Sequence, residues 1–381
     1  MRLDVSRREI IGAVAGAAAA APGAQAVAAP VKAATAPTAA GRPYRTPRDM
    51  LASITDGVFL NQNECAHGPC PEARALLTET AALDGRYGMS FVRDMAALFA
   101  EQNGLKPENV VVHPGSFLPL RNAALAFATK ERPLVYASPT FDPAFFDGAG
   151  APAMPSVVVP LVDHRVDVRA LVKAAPNAGV IHVCNPNNPT GLVVSEADMD
   201  WLMANKPKGA IVLVDEAYIH FSGARSALPR VAAGDDVLVL RTFSKIYGLA
   251  GLRCGLVMGR PDLLERMSYL GVDVVAMPAV LAAQASLLSP NLVAERKAYN
   301  ARVREDLFAF LRRSGRPYLP SDACFAMIDV GRPGDEVIKA LAERRVFVSG
   351  RYKSLPNWVR VSYGTTAQMD AFKSALAAIL A

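Results

Sequence analysis

An α/β fold, with a mostly parallel sheet covered by helices on both faces and a smaller C-terminal α+β domain, is predicted by three observations. From about residue 72 the chain alternates helical periods with short apolar runs, as buried parallel strands require. Near Pro278 that alternation gives way to a long helical stretch and then to shorter mixed elements. The residues able to do chemistry gather in loops after predicted strands, where an open α/β sheet forms its ligand crevice. The expected organisation is a removable head over 1–29, an extended arm over 30–71, a large domain over 72–278 and a small domain over 279–381.

In the head, Met1 to Arg8 carry the charges and Ile10 to Ala21 are apolar, too short a run to span a bilayer. Ser6-Arg7-Arg8-Glu9-Ile10-Ile11 resembles the twin-arginine export signal, and Ala24-Gln25-Ala26 or Ala26-Val27-Ala28 offers a cleavage site. That resemblance implies export in the folded state to the periplasm through the twin-arginine machinery, without a stable membrane anchor. Pro30, Pro37, Pro43 and Pro47 with Ala, Thr and Gly predict an extended leader. Six strands are expected: Val110 to Val112, Leu134 to Ala137, Gly179 to Cys184, Ala210 to Val214, Val237 to Arg241 and Gly255 to Met258. Helices are expected at Phe91 to Asn103, closed by Gly104, and at Glu196 to Asn205, opened by Ser195 with Asp198 three residues on. The small domain should hold one long helix over Ala279 to Arg313, then Ala323 to Val330, a helix over Asp335 to Arg344, Val346 to Val348, Trp358 to Ser362 and a closing helix.

Composition narrows the function classes. With 381 residues, 51% hydrophobic and 20% charged, the chain can bury a large core, which excludes disorder and collagen-like order. The net charge of +6 is spread without like-charge runs, so no nucleic-acid surface is indicated. Five cysteines, without a paired C-x-x-C, write neither a zinc site nor a disulfide scaffold, leaving at most a Cys65 to Cys70 bridge. No metal site is expected.

Three loops carry the chemistry. After Gly179 to Cys184 comes Asn185-Pro186-Asn187-Asn188-Pro189-Thr190-Gly191, a tight turn that can aim an amide side chain. After Ala210 to Val214 comes Asp215-Glu216-Ala217-Tyr218, and after Val237 to Arg241 comes Thr242-Phe243-Ser244-Lys245, with Arg253 further on. Singly these are a turn, a helix cap and a surface lysine. Together they meet the needs of pyridoxal phosphate: a lysine amine for a Schiff base, a carboxylate for the pyridine nitrogen, donors for the ring hydroxyl, and hydroxyls with an arginine for the phosphate.

With those motifs the chain resembles a fold-type I pyridoxal-phosphate aminotransferase of the class I/II superfamily, most of all the histidinol-phosphate aminotransferase family, over about residues 55 to 378. The resemblance implies a Schiff base on Lys245, which would also move the substrate proton, with Asp215 on the ring nitrogen and Asn188 and Tyr218 on the ring oxygen. It implies a phosphate site of Thr242, Ser244 and Arg253 with the backbone N–H groups of Ser116 and Phe117 at a helix start. Phe141 would stack on the ring where the family usually has Tyr. Arg360, in Trp358-Val359-Arg360-Val361-Ser362, would pair with the substrate carboxylate, near Asn63. Tyr87 would reach the phosphate of a neighbouring subunit, implying a homodimer.

Two segments depart from the family. Asn61-Gln62-Asn63-Glu64-Cys65-Ala66-His67-Gly68-Pro69 has Cys65 and Ala66 where Asn and Pro are usual, and Gly115-Ser116-Phe117-Leu118 replaces an acidic pair. The second family arginine, used on the phosphate of histidinol phosphate, is offered only in shifted register by Arg351. His67 is either a pocket residue or a packed one. The expected activity is transfer of an amino group between an amino acid and a 2-oxo acid, with histidinol phosphate the minority substrate. Decarboxylation of a (phospho)amino acid on the same frame, or cofactor-fold binding without catalysis, stay open at this level.

Overall fold

The structure, a computed structural model, describes residues 45–271 and 273–380. The segment expected to be a twin-arginine signal and the first part of the expected arm, residues 1–44, lie outside the described residues. The elements that build the site all belong to the compact unit Ser53–Ala381.

Among the described residues the strands are β1 (Val58–Leu60), β2 (Val110–His113), β3 (Leu134–Ser138), β4 (Ser156–Pro160), β5 (Val180–Cys184), β6 (Ile211–Asp215), β7 (Val237–Thr242), β8 (Gly255–Gly259), β9 (Phe325–Asp329), β10 (Val346–Tyr352) and β11 (Leu355–Ser362). Seven form one sheet in the order β2-β8-β7-β6-β5-β3-β4. Neighbours from β4 through β7 are parallel, and only β8 runs against its neighbours. All six expected strands are present. β4 was not foreseen, because Ser156–Pro160 is an edge strand with exposed positions, bounded by Pro155 and Pro160.

Strands β5 to β8 are almost wholly apolar because both faces are covered. Val212, Val214, Val237 and Val239 face one core with Met95, Phe99, Leu202 and Val280 of the helices Met89–Gln102, Glu196–Asn205 and Met277–Leu288. Ile211, Leu213, Leu238 and Leu240 face the other, against Leu120 and Phe127 of the helix Phe117–Phe127 and Leu263 of Pro261–Ser268. A strand alternates its faces residue by residue. Continuing that period places Cys184, Asp215 and Thr242 at the carboxyl ends of three parallel neighbours, on the face of helix Phe117–Phe127. The Ser195 start behaves as read: its Oγ accepts from the Asp198 N–H at 3.1 Å and donates to the Asp198 carboxylate at 2.7 Å. Gly104, at φ 65°, supplies the left-handed residue after the helix Met89–Gln102.

A four-stranded sheet, β1-β10-β11-β9, covers a second core that includes Leu307, Phe308, Ile328, Val359 and Phe372. Two expectations differ from what is found here. Within 30–71, Pro47–Thr55 is helical and Val58–Leu60 is a strand paired in parallel with β10, so the segment contributes to the small sheet. The single helix expected over Ala279 to Arg313 is two, Met277–Leu288 and Leu292–Arg313, bent by 82°. Pro290 lies in the break, where it cannot continue the helical hydrogen bonds. The first of the two packs in the core of the large sheet.

Candidate active site

The carboxyl ends of β6 and β7 open into a cavity of about 390 Å³, lined by Asp215, Tyr218, Thr242, Ser244, Lys245, Arg253, Ser116, Phe117 and Phe141 among others. Lys245 donates from Nζ to the carbonyl oxygen of Gln62 at 3.0 Å, and its ammonium lies 5.7 Å from the centre of the Tyr218 ring. Burial holds its pKa below the ordinary lysine value, with Arg360 and Arg253 adding to the shift and Cys324 and Glu64 opposing it.

Asp215 is 4% exposed and accepts from the Ala217 N–H at 3.0 Å. Desolvation pushes its carboxyl up to about 6, only partly offset by that N–H and by Lys245. A buried carboxylate held this way is stabilised by any cation brought against it. Asn188 and Asn63 both donate to the Tyr218 phenol oxygen, at 3.4 and 3.0 Å. Asn63 is a non-glycine residue at φ 54°, held there by Ser362, whose hydroxyl accepts from Asn63 N–H at 2.8 Å and donates to Asn63 Oδ1 at 3.0 Å.

At the other end of the cavity Thr242 Oγ1 lies 2.9 Å from Ser244 Oγ, which accepts from Arg253 Nη1 at 3.1 Å. Ser116 precedes the helix Phe117–Phe127 and makes no side-chain cap, so the first N–H groups of that helix face the cavity end unshared by Ser116 Oγ. Gly115 sits at φ +81°, a left-handed conformation that strains any other residue, and a Cβ there would also press on the Arg253 guanidinium. Gly255 is equally constrained, since a Cβ would come within 2.8 Å of Ser116 N. Hydroxyls, guanidinium and helix N-terminus thus converge on one spot, an anion site.

Arg360 is buried on β11. Its Nη1 donates to Asn188 Oδ1 at 2.7 Å and its Nη2 to Asn61 O at 2.8 Å, while Nε has no partner. Phe141 and Phe117 meet edge to face with centroids 6.4 Å apart, and Phe117 is 41% exposed. Thr140 donates to Asn187 Oδ1 at 2.7 Å, fixing the Phe141 loop to the Asn-Pro turn.

Lys245, Asp215, Tyr218, Asn188, Thr242, Ser244, Arg253, Ser116, Phe117, Phe141, Asn63 and Arg360 are therefore brought together. Tyr87 is not in this cavity; it is 79% exposed. Arg351 lies on β10, and its side chain is outside the described residues. His67 is exposed and meets the Tyr299 ring edge-on at 4.3 Å, with its pKa lowered by desolvation and by Arg296, and it is not among the residues that line this cavity. Cys65 and Cys70 are both free. Sequence reading missed Gln62, Glu64 and Ser362. Ser362 was findable, since it shares a face with Arg360 by strand alternation, whereas the role of a Gln62 carbonyl leaves no trace in residue type.

The cavity fits pyridoxal phosphate: an anion site at one end, a buried carboxylate wanting a cation at the other, a lysine amine between, and Phe141 beside them. The chain matches the model of the family described as aminotransferase class I and II over residues 55–376. The chain belongs to that family. A histidinol-phosphate aminotransferase of Moorella thermoacetica is 31% identical over 352 residues, covering 91% of each protein. An aromatic amino acid aminotransferase of Mycobacteroides abscessus is 32% identical over 326 residues, 84% of this chain and 92% of that one. Among solved structures, the histidinol-phosphate aminotransferase of Sinorhizobium meliloti in complex with pyridoxal-5'-phosphate superposes with a TM-score of 0.78. It is 24% identical and covers 89% of this chain and 95% of its own, a likeness of fold. In family terms the chain is an aminotransferase of fold-type I architecture, with a large sheet domain and a smaller C-terminal one.

Proposed function

We propose that this aminotransferase uses pyridoxal phosphate to move an amino group from an amino acid with an apolar or aromatic side chain to a 2-oxo acid. One observation carries the site assignment: Lys245 Nζ and Arg360 Nη2 hang on consecutive carbonyls, Gln62 O and Asn61 O, of one segment. The amine and the carboxylate-binding guanidinium therefore reach the cavity side by side.

Thr242, Ser244, Arg253 and the N–H groups after Gly115 would hold the cofactor phosphate, Asp215 the ring nitrogen and its proton, and Asn188 with Tyr218 the ring oxygen. The cofactor, when bound, supplies an electron sink for the charge left on the substrate α-carbon. The chain does the rest. Arg360 takes the substrate carboxylate in a bidentate pair, exchanging its bonds to Asn188 and Asn61 for stronger charge-assisted ones. Lys245, kept short of its usual basicity by burial, accepts the α-carbon proton and returns it to the other side of the transfer. Phe117 and Phe141 keep water off this exchange and give the mouth an apolar wall. That apolar wall favours an amino acid with an apolar or aromatic side chain over histidinol phosphate as donor. A panel of L-amino acids and histidinol phosphate assayed for kcat/KM checks this, and a specific activity on histidinol phosphate well above that on amino acids would contradict it.

We further infer a homodimer and export. Tyr87, Leu83 and Met89 are exposed together on one short stretch outside the cavity, which suits a residue completing a partner subunit's site. Sedimentation of the purified chain tests the dimer. The motif Ser6-Arg7-Arg8-Glu9-Ile10-Ile11 is the ground for folded export. Substituting both arginines by lysine and following the protein between cell fractions tests it.

A further inference from the structure

Cys65 and Cys324 are assigned no step in the transfer above, although Cys324 acts on the Lys245 pKa, and the fold brings the two to one place. Cys324, 4% exposed, immediately precedes β9 and donates from Sγ to the carbonyl oxygen of Asn63 at 3.8 Å. Asn63 is two residues before Cys65. Tyr363 N–H donates to Cys324 O at 2.8 Å and Ser362 pairs with Phe325, so Tyr363 is the cross-strand neighbour of Cys324. Cys65 in turn lines a cavity of about 460 Å³ together with Ser362, Tyr363 and Gly364. The half-exposed Cys65 is thus two residues from the carbonyl that the buried Cys324 thiol touches, and it shares a cavity lining with the cross-strand neighbour of Cys324. The two are also near enough for a charge on Cys65 to oppose ionisation of Cys324. The other thiols are placed elsewhere: Cys70 Sγ lies 3.6 Å from Ser286 Oγ, Cys184 Sγ donates to Pro186 O at 3.4 Å, and Cys254 is wholly buried.

We propose that Cys65 and Cys324 form a reversible disulfide that ties the Asn61–Cys65 segment to β9 and makes amino transfer sensitive to thiol redox state. With a disulfide oxidant such as oxidised glutathione, the Cys65 thiolate attacks one sulfur and releases the first glutathione thiolate. Cys324 then gives up its proton and attacks Cys65 Sγ, forming the protein disulfide and releasing the second glutathione. Two protein thiols are oxidised and one glutathione disulfide is reduced. The half-exposed Cys65 is the entry point, because burial lifts the Cys324 thiol to about 12 and makes it a poor first nucleophile. The bridge pulls on the segment whose carbonyls hold Lys245 and Arg360. That effect on catalysis rests on the site reading above, whereas the bond does not.

The test is to equilibrate the cofactor-loaded chain with oxidised or reduced glutathione, count thiols after denaturation, and map a non-reduced digest. Two of the five thiols should be lost under oxidation, with the Cys65 and Cys324 peptides linked and the link absent from Cys65→Ser and from Cys324→Ser. Transamination should fall by about tenfold or more on oxidation and recover on reduction, the scale expected when reacting groups are displaced by an ångström, and Cys65→Ser should abolish that response. All five thiols persisting, or a link from Cys65 to Cys70, would overturn the bridge. A mapped Cys65–Cys324 link with unchanged turnover would overturn the redox coupling.

Discussion

At its floor the Lys245 cavity is made of side chains on the ends of β6 and β7 and their loops, while at its mouth it is made of main-chain carbonyls and substituted aromatic residues. Asp215, Thr242, Ser244 and Arg253 belong to the floor, and their bonds run mainly to one another or to adjacent loops, while Lys245 rises from the floor to the Gln62 carbonyl. The mouth depends on Asn61, Gln62 and Asn63, whose partners Arg360, Lys245 and Ser362 come from more than 180 residues away. The difference teaches how the proposed roles divide: on that reading the floor would hold the cofactor and carry the reaction, and the mouth would select the donor.

The largest expected effect breaks the floor. Lys245→Ala should lower turnover by at least about 10³-fold, the loss of both the cofactor-binding amine and the proton carrier, while far-ultraviolet circular dichroism stays that of the parent. Asp215→Asn should lower kcat by about 10² to 10³-fold, as removal of one preorganised charge does, measured at saturating donor.

The same residue sharpens the comparison through pH. In the cofactor-free chain Asp215 keeps its proton up to about 6, against 3.8 for an unperturbed group. At this group the folded state then binds more protons than the unfolded one between those values, so the contribution of Asp215 to stability is greatest below 3.8 and falls as pH rises toward 6. The total loss is about 3 kcal/mol for a displacement of that size. Denaturant midpoints of the cofactor-free parent and of Asp215→Asn, measured near pH 4 and near pH 7, should isolate this contribution: the parent should lose stability relative to the variant as pH rises.

At the mouth, Arg360→Gln should raise the KM for the amino acid by about 10- to 100-fold, the value of a hydrogen-bonded charge pair, with a smaller change in kcat. Phe117→Asp should have the smallest effect, lowering kcat/KM for apolar donors by about tenfold or less and leaving small polar donors nearly unaffected in the same assay. If Phe117→Asp lowered every donor equally, the division between floor and mouth would not hold.

The floor was also the part legible in the sequence. Asp215 and Thr242 could be placed because strands buried on both faces read as unbroken apolar runs, and the residue ending such a run must enter the crevice. Ser195 and Gly104 marked helix ends by backbone chemistry that side-chain type reveals. The mouth was less legible. β1 is only three residues long and pairs with a strand far along the chain, so no local period announces it. Pro290 marks the break between the helices Met277–Leu288 and Leu292–Arg313 in residue type alone, because proline cannot continue helical hydrogen bonding. His67 shows the limit of residue type alone: whether a lone histidine lines a pocket or packs on Tyr299 is decided by tertiary contact.

The most direct test is a single half-reaction. The cofactor-loaded chain, freed of excess cofactor, is mixed with phenylalanine, other L-amino acids or histidinol phosphate without any acceptor, and released 2-oxo acid and carbon dioxide are measured beside Lys245→Ala. The account predicts 2-oxo acid stoichiometric with bound cofactor from an apolar or aromatic donor, no carbon dioxide, and nothing from Lys245→Ala. Carbon dioxide in place of 2-oxo acid, or equal release from Lys245→Ala, would contradict it.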